Sequence, residues 1–541
     1  MPFGDLPQRP NVLLIITDQE REVMHWPEGW AEANLPARSR LLEHGLQFTN
    51  AQCNAAACSA SRATLITGRY PTEHGVKNLV TSDDPKDKVQ RHLPVLPSNL
   101  PNLATVMASA GYRVVLKGKL HLTRPVRYDA QRGRFYWSDA DVAHLADRYG
   151  FQGWNPPDMS DPTSLDDLGG GAINNDGRIV DGSGTAAGEV RPHAELYRES
   201  AVHFINTYDG DQPFFLIVAL VNPHDVQEYP GRGLRGARGL KLSPTYAQGG
   251  YRREDFEDLP IGLPASVDDD LSTKPSIHAT FRRFLATALG HVRTEQRQLD
   301  YARFYAYLNR QVDSEIGKLL DALDARGLAE DTLVLRTSDH GELGMAHGRG
   351  RQKFYNAYRE SLNVPLIFSN PRLFPEPVRS DSLASLVDVL PTLATLTDVP
   401  EPEQYGFKGQ DLTPVLTDPR AEVQDVLHFA YEDDVFPVEG ASFLRAIVEK
   451  DWKYAVYYDP FTGAPPEYEM YNLAADPLEM TNLAHSKHWT ADERAEQARL
   501  HRKLWDVMLA AGSRPDEVRW PEVGDFEPAA QLVATDEEEG P

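Results

Sequence analysis

Chemistry is most plainly on offer at Cys58-Ser-Ala-Ser-Arg62, which runs on through Ala-Thr-Leu-Ile-Thr to Gly68-Arg69-Tyr-Pro71. Small residues precede Cys58, and helix-compatible residues follow it until Gly68 and Pro71. The cysteine is therefore expected at a helix N-terminus, where free N–H groups and the helix dipole favour negative charge. Arg62 falls one turn later on the same face and can reach back toward position 58. An anion-handling nucleophile is one reading of that pair. A buried structural thiol is an equal one, because free cysteine is among the most buried residue types. The chain has 2 cysteines, Cys53 and Cys58, which excludes a disulfide framework. Cys53 carries no motif and is expected as a buried thiol near the core.

Such a residue needs a scaffold to aim it, and the sequence alternates strand and helix. Asn11–Thr17 (NVLLIIT) is a short apolar run ending in Asp18-Gln19-Glu20. It fits a buried parallel strand whose C-terminal end faces a site. Leu35–His44 has helical spacing and stops at Gly45. A helix over Asn102–Ala110, a turn at Gly111 and a strand over Tyr112–Leu116 repeat that grammar. His193–Tyr208 reads as a helix before the apolar run Pro213–Val221. A long polar helix over Glu295–Leu328 precedes the strands Thr332–Thr337 and Val364–Phe368. This alternation predicts an α/β fold with a mostly parallel sheet covered by helices on both faces. Arg124–Val190 and Gln227–Pro275, rich in Gly, Pro, Asp and Arg, read as loop insertions over the site. Past about position 419 the pattern changes to the strand-like Val426–Tyr431, Ser442–Val448 and Trp452–Tyr458, then an amphipathic helix over Ala491–Ala511. The expected organisation is a catalytic domain over 1–419, a smaller unit with an antiparallel sheet and a helix over 420–532, and an acidic tail over 533–541.

In 541 residues, 55 Lys+Arg stand against 80 Asp+Glu, a formal charge of −25. Phosphate neutralisation needs a basic surface, so nucleic acid is excluded as a partner, and anionic membrane with it. No apolar run approaches a membrane-spanning length. The N-terminal apolar stretch lacks the basic flank and the cleavage site of a secretory leader, so a cytoplasmic location is expected.

The pattern Cys-x-[Pro/Ala]-Ser-Arg-x-x-Leu-x-Thr-Gly-Arg resembles the signature of the formylglycine-dependent sulfatases. Cys58, Ser61, Arg62, Leu65, Thr67, Gly68 and Arg69 fall in register, with Ala60 where the commonest form has Pro. The likeness runs along nearly the whole chain. Asn11-Val-Leu-Leu-Ile-Ile-Thr-Asp18-Gln19 resembles the opening strand that delivers two metal ligands, in the Asp-Gln variant of the choline-sulfatase and phosphonate-monoester-hydrolase branches. Gly118-Lys119-Leu-His121 is similar to the element whose Lys contacts sulfate and whose His contacts formylglycine. Pro213-Phe-Phe-Leu with Pro223-His224-Asp225 resembles the strand that ends in a sulfate-binding His. Ser338-Asp339-His340-Gly341-Glu342, continuing to His347-Gly348, resembles the second metal-binding loop. Lys353, five residues before Tyr358, matches the lysine of a Lys-x4-Tyr-Glu-Glu stretch, with Arg359 where the first Glu is usual. Asp388-Val-Leu-Pro391 and Tyr471-Asn-Leu-x-x-Asp476-Pro477 are similar to C-terminal hallmarks.

The resemblance implies an alkaline-phosphatase-like fold and an ordered set of roles. Cys58 is converted to Cα-formylglycine by a formylglycine-generating maturation enzyme, and the hydrated aldehyde is the nucleophile; a disulfide to Cys53 would block that conversion. Asp18, Gln19, Asp339 and His340 hold one divalent metal, and three oxygens with one nitrogen suit Ca²⁺ or Mn²⁺. Lys119, His224 and Lys353 form a cationic cradle for the sulfuryl oxygens. His224 or Lys353 protonates the leaving group, and His121 takes a proton from the hydrate. Asn78, after His74-Gly-Val, is a polar substrate contact.

The expected activity is metal-dependent hydrolysis of a small-molecule sulfate ester by S–O cleavage. The nearest rival is a phosphonate monoester hydrolase or phosphodiesterase with the same nucleophile. From another class comes a non-catalytic binder of sulfated or phosphorylated ligands with Cys58 unmodified. Tyr136, Trp137 and Trp154 could cage a choline group, or could simply pack. His25, His44, His74, His92, His203 and the Glu538 cluster are expected to be ordinary. Oligomeric state stays open, with a homo-oligomer the state that related enzymes often adopt.

Overall fold

An apolar run with no polar alternation needs cover on both faces, and Asn11–Asp18 has it, buried from Val12 onward. The computed structural model describes residues 9–80, 94–129, 134–156, 158, 175–184, 191–231, 245–432, 438, 440–461, 463–515 and 520–522. His92, the 533–541 tail with Glu538, and parts of both loop insertions lie outside the described residues.

In chain order the strands are β1 (Asn11–Asp18), β2 (Gly45–Gln52), β3 (Arg113–Gly118), β4 (Arg127–Asp129), β5 (Arg134–Tyr136), β6 (Phe214–Pro223), β7 (Thr332–Ser338), β8 (Leu366–Ser369) and β9 (Val378–Ser385). A second set follows: β10 (Leu427–Tyr431), β11 (Phe443–Val448), β12 (Trp452–Tyr458) and β13 (Glu467–Asn472). The main sheet has the order β3-β6-β1-β7-β8-β2-β9. Its β3, β6, β1 and β7 run parallel, while β8 is antiparallel to both of its neighbours. The sheet is mixed and mostly parallel, with β4 and β5 forming a separate hairpin.

Alternate residues of these strands feed two helix layers. Leu13, Ile15 and Leu216 pack with Val312, Ile316 and Leu319 of the Glu295–Ala325 helix on one face. Val12, Leu14 and Ile217 pack with Ala60, Ala63 and Leu65 of the Cys58–Thr67 helix on the other. All ten residues of the second helix are buried, and it ends where Gly68 adopts φ 62 and its N–H bonds Thr64 O. That left-handed conformation is inexpensive only for glycine.

Registers pair Asp18 with Pro223, Thr17 with Ser338 and Gly118 with Ala219. The residues just past four adjacent strand ends (Gln19, Lys119, His224 and Asp339) therefore emerge along one edge. Beyond the carboxyl ends of parallel strands is where open α/β sheets place ligands.

Three expectations change. The helix read over His193–Tyr208 is two, His193–Glu199 and Ala201–Thr207. Ser200 between them is extended, and its hydroxyl accepts the His203 N–H at 3.2 Å, so an N-cap interrupts a periodicity that reads through it. Gly45 stops a helix and also opens β2, whose polar sequence GLQFTNAQ gave no strand signal. The insertion over 124–190 is also less purely a loop: the Asn175–Val180 helix is buried, and Asp176 accepts the Val221 and Asn222 N–H groups at 2.6 and 3.1 Å, pinning it to the end of β6.

The four-stranded sheet runs β10-β11-β12-β13, antiparallel throughout. Ile447, Tyr454 and Met470 on one face receive Leu500, Leu504 and Met508 of the Ala491–Ala511 helix. Leu444, Ala446 and Tyr457 on the other join the main core. Among the described residues no helix is long and apolar enough to cross a membrane.

The segment after β7 runs between the two sheets, and His347 is buried within it. Its Nδ1 donates to Asp269 Oδ2 at 3.2 Å, its Nε2 lies 3.3 Å from Glu360 Oε2, and its ring stacks on Tyr358 at 3.6 Å. Burial opposes its charge, but Glu360 and the Asp269 bond carry its pKa up from 6.5 to about 9. A pKa raised on folding adds stability that is complete below the unfolded value and is lost as pH climbs through the folded one. Between about pH 7 and 9.5, Tm should therefore fall more steeply for the native protein than for His347→Gln, by up to about 3 kcal/mol in stability. Parallel Tm curves across that range would remove His347 as the cause.

Candidate functional site

Cys58 opens its helix behind Ala57, which is extended and offers no side-chain cap. The first-turn N–H groups are thus left to a ligand or to the residue at position 58. Cys58 Sγ lies 3.1 Å from His340 Nε2 and 3.9 Å from Asp18 Oδ1. Arg62 does not reach back to it. Its Nη2 donates to Asp18 Oδ2 and its Nε to Asp339 Oδ2, both at 2.9 Å, and its Nη1 donates to Lys119 O at 3.2 Å. A guanidinium only 2% exposed needs carboxylate partners, and the two strand ends supply them.

Asp18, Asp339 and His340 are fully buried. Their ligand atoms and Cys58 Sγ all lie within 4.8 Å of one another. Burial raises the Asp18 pKa, but Lys119, His224, Arg62 and His340 together hold it well below the ordinary carboxylate range. Asp339 goes the other way, to about 6, through burial and the neighbouring Asp18 charge. Burial takes His340 down to about 4 against the pull of Asp339, so its imidazole is neutral at pH 7. Its Nδ1 donates to Gly341 O at 3.0 Å, which leaves the Nε2 lone pair facing Cys58. Two crowded carboxylates and a fixed imidazole lone pair in a dry site fit a divalent cation.

Gln19 adjoins this cluster. It has φ 68, its N–H bonds Asp339 Oδ1 at 3.1 Å, its Nε2 bonds Glu342 Oε2 at 2.5 Å, and its Oε1 accepts from Lys353 Nζ at 2.6 Å. The structure thus gives the Gln19 oxygen a lysine partner beside the other three predicted ligands. Lys119 Nζ bonds Asp18 Oδ2, and His224 Nε2 lies 4.0 Å from Asp18 Oδ1. The Nδ1 atoms of His121 and His224 are buried with no hydrogen-bond partner among the described residues. Burial, reinforced by Lys119, pushes both imidazoles well below their usual pKa. Asn78 lies two residues before Val80, whose N–H bonds Ser59 Oγ at 2.9 Å, so its segment passes the start of the same helix.

Two residues that hold this arrangement escaped the sequence reading. Asp158 accepts the Leu120 and His121 N–H groups at 2.8 and 2.9 Å and fixes the turn in which His121 has φ 56. It sits in a Gly- and Pro-rich insertion without periodicity, so no signal marked it. Glu342 takes Gln19 Nε2 and the Tyr301 hydroxyl; it lies inside the quoted Ser338–Gly348 loop, where an acid among glycines was the available clue. His347 of that loop is paired with Asp269 and Glu360 instead of joining the cluster. Trp154 is buried, bonds Gly118 O at 2.8 Å and packs edge-on against Trp137, which assigns it to the core under the Gly118 turn. His25, His44 and His74 bond Glu360, Phe374 O and Thr64. Cys53 is buried and unpaired, with a thiol pushed up by burial.

A family model described as Sulfatase matches residues 10–399, and one described as N-sulphoglucosamine sulphohydrolase, C-terminal, matches residues 350–508. The chain is 26% identical over 507 residues to the choline-sulfatase of Rhizobium meliloti (strain 1021), covering 90% of this chain and 84% of that protein. It superposes on a solved sulfatase structure from Bacteroides thetaiotaomicron with a TM-score of 0.67 at 21% identity, covering 95% of both chains. The phosphonate monoester hydrolase from Silicibacter pomeroyi gives a TM-score of 0.62 at 20% identity, over 93% of this chain and 95% of that one. These structural likenesses are ones of fold.

Removing one carboxylate should uncouple the cluster from its cation. Elemental analysis after desalting should find on the order of one divalent ion per native chain and much less in Asp339→Asn. Equal metal content in the two proteins would move the cation away from Asp339.

Proposed function

The chain belongs to the sulfatase family, and from that premise we propose that it acts through Cys58 in its formylglycine form, with a divalent metal held by Asp18, Asp339 and His340 and with Gln19 beside them. It is a sulfuric ester hydrolase acting on sulfate esters. The observation that carries the proposal is convergence: Cys58, two carboxylates, His340 and three cationic side chains meet, buried, at the C-terminal edge of four parallel strands.

When present, the aldehyde hydrate would supply the attacking hydroxyl and the metal, Ca²⁺ or Mn²⁺, would draw charge from a sulfuryl oxygen. This chain's own residues then have separable tasks. Arg62 neutralises Asp18 and Asp339 and fixes the helix turn that bears position 58. Lys119 and Lys353, turned into the cluster through Asp18 and Gln19, meet the negative oxygens of an entering ester in a dry site where charge acts strongly. His121, with its unengaged Nδ1, is the residue we assign to hold the proton from position 58. Lys353, or His224 once an entering anion has restored its proton, gives one to the leaving oxygen, and Asn78 contacts the organic group.

Two thiols without a disulfide suit a reducing compartment, which supports a cytoplasmic location and leaves Cys58 open to a formylglycine-generating enzyme despite Ala60. Residues 1–419 would carry this site and 420–532 the smaller unit, and a homo-oligomer would leave the strand-end edge open to substrate.

Mass spectrometry of the tryptic peptide Leu41–Arg62 should show the aldehyde in place of the thiol. With that form in hand, an aryl sulfate should be turned over faster than a phenyl phosphonate monoester or a phosphodiester. Lys353→Ala and His121→Ala should each lower kcat by about 10²–10³-fold. A peptide from the native host bearing only the thiol would replace this reading with the binder, and a large preference for the phosphorus esters would replace it with the phosphonate monoester hydrolase.

A further inference from the structure

A second concentration of positive charge lies apart from the residues around Cys58. The Ser276–Ala288 helix contributes Arg282 and Arg283, the stretch after it His291 and Arg293, and the turn after Gly348 contributes Arg349 and Arg351. Together they line a cavity of about 420 Å³. None of the residues assigned to the catalytic cluster is among them.

The charges are scarcely balanced. Among the described residues Arg349 alone of these has a carboxylate partner, Asp268 at 2.6 Å. Arg282 donates to Gly348 O at 2.8 Å, Arg283 to Thr280 Oγ1 at 3.1 Å and Arg293 to His291 Nε2 at 3.4 Å. Arg351, only 4% exposed, is held by Gly290 O at 2.9 Å and Tyr229 O at 3.4 Å. Among the described residues these four guanidinium groups thus hydrogen-bond to neutral acceptors only, with the Glu342 charge acting on Arg351 without a bond to it, in a chain whose formal charge is −25. The crowding is felt: burial, then the Arg349 and Arg283 charges, lower the Arg282 pKa. Keeping like charges together against their repulsion is expected where an anion completes them. Backbone carbonyls already hold Arg282 and Arg351, so little ordering remains for a ligand to impose. The volume matches pockets that enclose a small organic ligand and exceeds what a single sulfate or phosphate fills.

We propose that this cavity is an anion-binding site, separate from the catalytic centre, for a ligand carrying two or more sulfate, phosphate or carboxylate groups. A multiply sulfated sugar has that chemistry. Such a ligand would be anchored by Arg283, Arg293 and Arg349 at the mouth and by Arg351 at the wall. The Arg349–Arg351 turn lies on the same chain segment as His340 and Lys353, so binding here adjoins the segment that carries the proposed cradle.

The test uses the full chain in a Cys58→Ala background, which prevents turnover. Isothermal calorimetry at fixed ionic strength compares a trisulfated disaccharide with inorganic sulfate. The disaccharide should bind at least about tenfold more tightly than sulfate. The double reversal Arg283→Glu with Arg293→Glu should weaken it by about tenfold or more, while Arg198→Glu elsewhere on the surface should change it by less than about twofold. In protein with Cys58 intact, the double reversal should leave kcat/KM for a mono-anionic aryl sulfate within about twofold. Unchanged disaccharide affinity in the double variant, or sulfate binding as tightly as the disaccharide, overturns the proposal. Binding is read without turnover, so loss of aryl sulfate hydrolysis would sink the sulfatase mechanism and leave this site standing.

Discussion

The rest of the site depends on where the Arg62 guanidinium lies. It is buried between Asp18 at the end of β1 and Asp339 just past β7, and it also donates to the carbonyl of Lys119 just past β3. One side chain therefore ties the N-terminal half of the Cys58–Thr67 helix to three strand ends. A buried charge of this kind is costly unless every partner is in place, so the contact specifies the arrangement more than it adds stability. Cys58 stands one turn back on the same helix, and its position follows from that of Arg62. Lys119 shares Asp18 with Arg62, yet burial and the adjacent Asp18 charge still raise Asp339 to about 6. The same geometry that fixes the nucleophile thus prepares a cation site.

This local order works against the charge of the whole. A chain of −25 offers an anionic ester no long-range attraction, so binding must come from short-range positive charge in a medium that screens it poorly. Burial of Arg62, Lys119 and Lys353 supplies that medium, since each is almost fully withdrawn from solvent. Some surface arginines are paired with acids, as with Arg40 on Asp321 and Asp324 or Arg499 on Glu449. Arg282, Arg283, Arg293 and Arg351 instead line one cavity, and among the described residues none of them bonds a carboxylate.

Much of this was legible because local and global signals agree. The NVLLIIT run could only be a covered strand, and small residues before Cys58 with Gly68 after Thr67 bounded a helix whose first turn is open. Acids and histidines placed directly after apolar runs marked strand ends before any coordinates. What stayed hidden was long-range. No spacing shows that β1 sits between β6 and β7, so the meeting of Asp18 with Asp339 rested on resemblance alone. Arg62 pointed the wrong way because helical geometry names its neighbours at one turn and says nothing of carboxylates brought in by other strands. β2 and β9 are polar enough to lack a strand pattern, and Ser200 broke a periodicity that continued on both sides. Asp158 and the arginine cavity are assembled from segments far apart in sequence, each unremarkable by itself.

The segment from His340 to Leu362 shows how precision is kept at such a site. Met345, His347, Arg349, Gln352 and Tyr355 all have positive φ, a conformation costing about 1–3 kcal/mol at each non-glycine residue. A free loop would relax out of it. Here Glu342 holds Gly344 and Gln352 N–H groups, Lys453 of β12 bonds Ala357 O at 2.6 Å, and Glu479 takes the Arg359 N–H at 2.8 Å. The smaller sheet therefore clamps the strained path from outside while the strand ends hold it from within. Lys353 lies midway along that path, and its bond to Gln19 is set by both. Strain that two sheets must cooperate to maintain is a means of fixing a flexible lysine before its ligand arrives, and it gives the C-terminal sheet a part in the chemistry without placing any of its residues at the reacting atoms.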